Sequence, residues 1–138
     1  NPRGLYMTFF DNGKDEVWAE HVISDDYQGY PGVVHGGVQS AILDEIICRV
    51  SLIEDIHHFM AAAKMDVRFR KPVPTGENLR FVARRDVLRG GRGRATAQIL
   101  LRDGTVATEA TILLVDLPEE IRRRGTDEEL GWRVDCLQ

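Results

Sequence analysis

His35-Gly36-Gly37-Val38-Gln39-Ser40-Ala41-Ile42-Leu43-Asp44 is the stretch on which the fold turns. Two glycines run straight into a segment patterned for burial. Val38, Ile42, Leu43, Ile46, Ile47, Val50 and Ile53 keep a helical period and predict one long helix over residues 38 to about 53. Its first turn leaves backbone N–H groups without intrahelical acceptors, at the positive end of the helix dipole. Asp44 follows two turns on and is expected to be half buried. Amide donors and a carboxylate together suit attack on a polarised carbonyl. Ser40, Ala41, Asp44, Cys48 and Ser51 form a second stripe of small or polar side chains, expected to border a narrow slot. Glu45 and Arg49 are spaced for an i,i+4 pair on a solvated edge, which leaves Asp44 as the site acid.

Outward from the helix the chain reads as strands. Residues 5–10 and 16–23 are rich in aromatic and β-branched types, and Asp11-Asn12-Gly13-Lys14 supplies a hairpin turn between them. Residues 24–37 are a loop broken by Asp, Gly and Pro. Strands are expected at 62–70, 79–88, 94–102 and 105–115, with turns at Gly90-Gly91 and Asp103-Gly104. In the first of these, Met65, Val67 and Phe69 alternate with Lys64, Asp66, Arg68 and Arg70. Residues 119–138 are highly charged and expected to be peripheral, with a short helix. Two strands, a helix and four strands make an α+β chain. One helix cannot cover both faces of such a sheet, so the simplest packing wraps a curved, antiparallel six-stranded sheet around it. The far face must then be polar or covered by a partner.

Composition narrows the function. The chain has 138 residues, 43% hydrophobic and 29% charged, as expected of one globular domain. A net charge of −4 argues against a nucleic-acid partner. The Arg-Gly run from Leu88 to Arg94 is too short for an RNA-binding segment and sits between strand patterns. No apolar run is long enough to span a bilayer, and no signal-peptide pattern is visible. Cys48, Cys136 and the four histidines make no metal-ligand spacing, so no metal is expected. A reduced, cytoplasmic setting is the default.

Three stretches resemble the hot-dog fold thioesterases, specifically the PaaI-like (phenylacetate-pathway) group. They are Gln28-Gly29-Tyr30-Pro31-Gly32-Val33-Val34-His35-Gly36-Gly37 with Asp44 following, Val67-Arg68-Phe69-Arg70-Lys71-Pro72-Val73-Pro74-Thr75-Gly76, and Asn1-Pro2-Arg3-Gly4-Leu5. The resemblance implies a hot-dog domain over residues 1–117, followed by a charged extension at 118–138. It implies homodimers joined edge to edge, pairing again in some members into tetramers, with active sites at the subunit seam. The implied substrate is an acyl-CoA thioester; coenzyme A is part of that substrate and no separate cofactor is implied. Asp44 would act as base or nucleophile. The Gly36 amide, with Gly37 beside it, would polarise the thioester carbonyl.

Gln28 is the candidate for placing water, one residue from where the family pattern puts its amide side chain. His35 is expected to order the loop by hydrogen bonding, with a direct catalytic role as the alternative. Ala62 stands where many members carry Ser or Thr. Ser40 and Cys48 are candidate pocket residues, and Cys48 also reads as a small buried hydrophobe. Arg70, Lys71, Arg92 and Arg94 are candidates for the phosphates of coenzyme A. Two rival readings remain: a hot-dog hydratase or dehydratase, and a non-catalytic binder of acyl or aromatic ligands.

Overall fold

Turn chemistry sets the hairpins. The Oδ1 of Asn12 accepts from the N–H groups of Lys14, Asp15 and Glu16, closing the first turn. Gly90 and Gly91 take φ of 60° and 76°, the left-handed pair that a tight two-residue hairpin requires. The computed structural model describes residues 7–55, 57–118 and 120–121. Among them the strands are β1 (Phe10–Asp11), β2 (Glu16–Val22), β3 (Met60–Phe69), β4 (Asn78–Arg89), β5 (Arg92–Leu100) and β6 (Val106–Asp116), with the helix α1 (Gly36–Ile47) between β2 and β3. The strands form one antiparallel sheet in the order β1-β2-β4-β5-β6-β3. The strand expected at residues 5–10 is shorter: residues 5–6 lie outside the described residues, and of residues 7–10 only Phe10 falls in β1, which runs on to Asp11. Most of the charged extension, with Cys136, lies outside the described residues. No helix among the described residues is long and apolar enough to cross a membrane.

Alternation puts one row of each strand against the helix. Val17, Ala19, Leu79, Phe81, Ala83, Ala95, Ala97, Ile99, Ala110, Ile112 and Leu114 are all buried there. The alanines keep that face shallow, so the helix can settle into the curve of the sheet. Ile42, Leu43, Ile46 and Ile47 fill the space from the other side. A helix this short is marginal alone in water. Each of those four side chains contributes roughly 1.5–3 kcal/mol on burial, so packing rather than propensity holds it.

The helix differs from its expected span at both ends. It begins at Gly36 because the His35 ring accepts the Gly37 N–H at 2.9 Å and caps the first turn. It ends at Ile47 and tightens into a 3-10 turn over Cys48–Leu52. There the Ser51 hydroxyl donates to the His58 carbonyl at 2.7 Å, with the Cys48 carbonyl 3.2 Å away, fastening the turn to the chain that leads into β3. Ser51 is therefore buried and leaves the exposed small-residue stripe.

β3 is an edge strand. It pairs with β6 on one side, with Phe69 opposite Thr108, Val67 opposite Ala110 and Met65 opposite Ile112, so the expected alternation holds. A register shift between Ala62 and Lys64 marks a bulge. On its other side the strand pairs with none of the described strands.

Candidate functional site

The loop before the helix is pinned from several sides. Gln28 Oε1 accepts the Gly32 N–H at 2.9 Å, and the Gly29 N–H donates to the Val33 carbonyl at 2.8 Å. The Val34 N–H donates to Val73 O and the His35 N–H to Tyr27 O, at 2.8 and 2.9 Å. This delivers Gly36 to the first helical position. Among the described residues its N–H has no acceptor. Its carbonyl accepts the Ser40 hydroxyl at 3.0 Å. A cavity of about 800 Å³ opens in front, walled by the 29–36 loop, Gln39, and Phe69 to Pro72. Bare amide, helix dipole and cavity therefore meet at one point, a place for developing negative charge.

The neighbouring groups already have structural partners. The Gly37 N–H is taken by His35, so of the glycine pair it is Gly36 that offers a free donor among the described residues. His35 orders the loop, as expected, and can accept at Nδ1 only while that nitrogen carries no proton. His35→Ala should lower stability by about 0.5–2 kcal/mol, the usual value of an N-cap. His35→Asn, which keeps an acceptor, should recover most of it. Urea midpoints of the three proteins check this. Gln28 does not line the cavity, and its side-chain oxygen is committed to Gly32.

Asp44 is exposed, contrary to the half-buried expectation. It lies on the helix stripe with Gly37 and Ala41, also exposed, and this chain does not cover that stripe. Its described side-chain partner is Cys48, whose Sγ lies 3.6 Å from Asp44 Oδ1. Burial, followed by the Asp44 charge, pushes the Cys48 thiol up to about 12, so it stays protonated and is no nucleophile. The nearby Ala62 backbone offsets part of that rise, and neither Asp44, Cys48 nor Ala62 lines the cavity. Glu45 pairs with the buried Arg49 at 2.8 Å and is otherwise solvated, as its spacing implied. Gly36 and Asp44 are eight residues apart on one helix, about 12 Å along its axis at ~1.5 Å per residue. Within one chain they cannot touch the same atom.

Within one chain the four candidate cations do not line one cavity. Arg70 and Lys71 border the cavity, but Arg70 is held by Glu109 with contacts of 2.6 and 2.9 Å. Arg94 pairs with Asp86 at 3.0 Å, and Arg92 opens β5 beside the Gly90-Gly91 turn. Neither lines the cavity, because both sit where β5 begins, opposite Leu113 and Val115 of β6, whereas the cavity lies at the Thr108 end of that strand.

Three residues at the site were not singled out by the sequence. Phe69 lies against Gly36: a Cβ there would stand 3.4 Å from its ring. Gln39 is 4% exposed and lines the cavity, and Thr108 donates to it. Gln39 falls three residues before Ile42 and four before Leu43, so its place on the buried face was readable from helical spacing. No cluster of His, Cys, Asp and Glu suited to a metal ion occurs among the described residues.

Known proteins give the same architecture. Residues 31–110 match the family model described as thioesterase superfamily. No curated protein matches the chain. Among solved structures, a thioesterase superfamily protein aligns at 28% identity and TM-score 0.66, over 73% of this chain and 49% of its own. The chain thus spans about half the length of that relative. The Escherichia coli PaaI protein from the phenylacetic acid degradation operon aligns at 13% identity and TM-score 0.73, over 83% and 81% of the two chains. A Streptococcus mutans protein bound to acetyl CoA aligns at 16% identity and TM-score 0.73, over 80% and 88%. The last two likenesses are of fold, and it is the family match across the glycine turn, the helix and most of the sheet that makes this chain a hot-dog fold member of the thioesterase superfamily.

Proposed function

We propose that the chain hydrolyses an acyl-CoA thioester, as a homodimer whose sites lie between subunits. The observation that carries this reading is the Gly36 N–H at the positive end of α1, without an acceptor among the described residues, on a residue that lines the cavity of a thioesterase superfamily chain. The thioester oxygen accepts that N–H, and the helix dipole favours the charge that builds on it. Asp44 takes a proton from water as the new C–O bond forms, and the C–S bond then breaks. The departing thiolate takes the proton back and leaves as coenzyme A. In the other form of the mechanism the Asp44 carboxylate attacks the carbonyl, the C–S bond breaks and coenzyme A leaves as the thiolate; water then opens the mixed anhydride, returning the Asp44 carboxylate and the free acid, with the water's proton passing to the thiolate.

The separation of Gly36 and Asp44 on one helix asks for a second copy. Ser40 is the midpoint between them. A twofold axis at the level of Ser40, with the two α1 helices antiparallel, sets Gly36 of one subunit level with the partner's Asp44. The open edge of β3 and the uncovered stripe of α1 are the surfaces such an axis would join. The acetyl CoA held by the Streptococcus mutans protein supports coenzyme A as the carrier.

Free-thiol colorimetry across a panel of acyl-CoA substrates, with sedimentation of the same sample, tests both parts. Thiol release from at least one substrate by a dimeric or larger species is the expected result. Acyl-CoA binding without thiol release would leave a binding protein, and hydration of an enoyl thioester would make it a hydratase.

A further inference from the structure

Gln39 occupies a position that the helix pattern would give to an apolar residue. It shares the buried face of α1 with Ile42, Leu43, Ile46 and Ile47, yet it also lines the cavity in front of Gly36. Its orientation is fixed by chemistry. The Val34 carbonyl can only accept, so Nε2 must face it, at 3.0 Å. The Thr108 hydroxyl then donates to Oε1. Loop and β6 thus hold the amide between them. A primary amide carries two N–H donors, and Val34 uses one. The second has no acceptor among the described residues. A buried donor without a partner is costly to maintain, and the open space beside this one is the cavity. Val33, Val34, Phe69 and Pro72 wall the cavity with apolar surface; Tyr30, His35, Arg70 and Lys71 also line it but are exposed, so Gln39 is the buried polar side chain of the pocket.

We infer that Gln39 contacts the substrate, its second side-chain N–H donating to a neutral oxygen that the ligand carries one helical turn beyond the oxygen held by Gly36. This rests on reading the cavity as the thioester site. Residues three apart on a helix are neighbours, about 5–6 Å between side-chain roots, so the ligand oxygen lies close to the reacting carbonyl. Two groups offer such an oxygen: a hydroxyl on the third carbon of the acyl chain, or the nearer amide carbonyl of the pantetheine arm. A site built to hydrogen-bond an oxygen discriminates strongly against the analogue that lacks it.

The test compares kcat/KM for two substrate pairs, in the wild-type chain and in Gln39→Met. One pair is hexanoyl-CoA against 3-hydroxyhexanoyl-CoA. The other is the hexanoyl thioester of ethanethiol against that of N-acetylcysteamine. In one pair the oxygen-bearing member should be favoured by about tenfold or more, and Gln39→Met should reduce that ratio to about twofold or less. A ratio confined to the first pair assigns the oxygen to the acyl chain, and one confined to the second assigns it to pantetheine. Should Gln39→Met fold poorly, the double variant Gln39→Met/Thr108→Val removes both members of the hydrogen bond and takes its place. Flat ratios in the wild type, or a preference that survives loss of the amide, overturn the inference. If the wild type cleaves neither these four thioesters nor any member of the acyl-CoA panel above, the thioesterase reading itself fails.

Discussion

Asp44→Asn should abolish thiol release, lowering kcat by about 10²–10⁴-fold, the range that a positioned general base contributes. Asparagine keeps the shape of the side chain but can neither accept the proton from water nor form an anhydride. The fold gives no reason for a stability effect. Asp44 is exposed, makes no ion pair among the described residues, and touches Cys48 through one weak contact. A urea midpoint within about 0.5 kcal/mol of wild type is therefore expected, the usual limit for a surface change. KM should stay close to the wild-type value, because the carboxylate acts on water rather than on the coenzyme. Full turnover in Asp44→Asn, with binding intact, would remove the acid from the mechanism. One turnover in ¹⁸O-labelled water then separates its two roles. A base sends the label straight into the product acid. A nucleophile whose anhydride is opened at the aspartyl carbon keeps the label in Asp44, where mass spectrometry of the peptide finds it.

The exposure of that acid shows what the sequence held and what it did not. Spacing alone placed Asp44 on the stripe with Ala41 and Cys48, and the structure keeps it there. The expected half-burial came from the apolar neighbours Ile42, Leu43, Ile46 and Ile47, but these lie on the opposite, sheet-facing side. Periodicity fixes which residues share a face; what covers a face depends on other elements and, by the family resemblance, on another subunit. The strands from β2 onward were legible for the same reason. Alternation in β3 and the Asn-Gly, Gly-Gly and Asp-Gly turns are local signals, and each is present in the fold. The cation set was not legible, because the pairing of Arg70 with Glu109 and Arg94 with Asp86 depends on strand register. Gln39 went unread because a polar residue among apolar ones looks like a gap in the stripe, and only the fold supplies its buried partner on β6.

Gly36→Pro should cost about 10²–10³ in kcat, the usual loss for one oxyanion donor, while leaving the helix standing. A backbone N–H is hard to remove without breaking structure, but this position allows it. Gly36 is the first residue of α1, where proline is well tolerated because that N–H has no intrahelical acceptor. The residue before a proline must be extended, and His35 already is, at φ −57° and ψ 136°. Its carbonyl still accepts from the Gln39 N–H, so the first turn closes as before. Gly36→Ala is the control. It keeps the N–H and adds a Cβ 3.4 Å from the Phe69 ring, a contact that an exposed aromatic can relieve by a small shift. The alanine variant should retain activity within about tenfold, a shift of roughly 1.4 kcal/mol at most. The proline variant should fall well below it, at similar helicity by circular dichroism. If both variants lose activity equally, the loss comes from crowding against Phe69. If the proline variant stays fully active, the carbonyl is held by some other group and the Gly36 amide is no part of the chemistry.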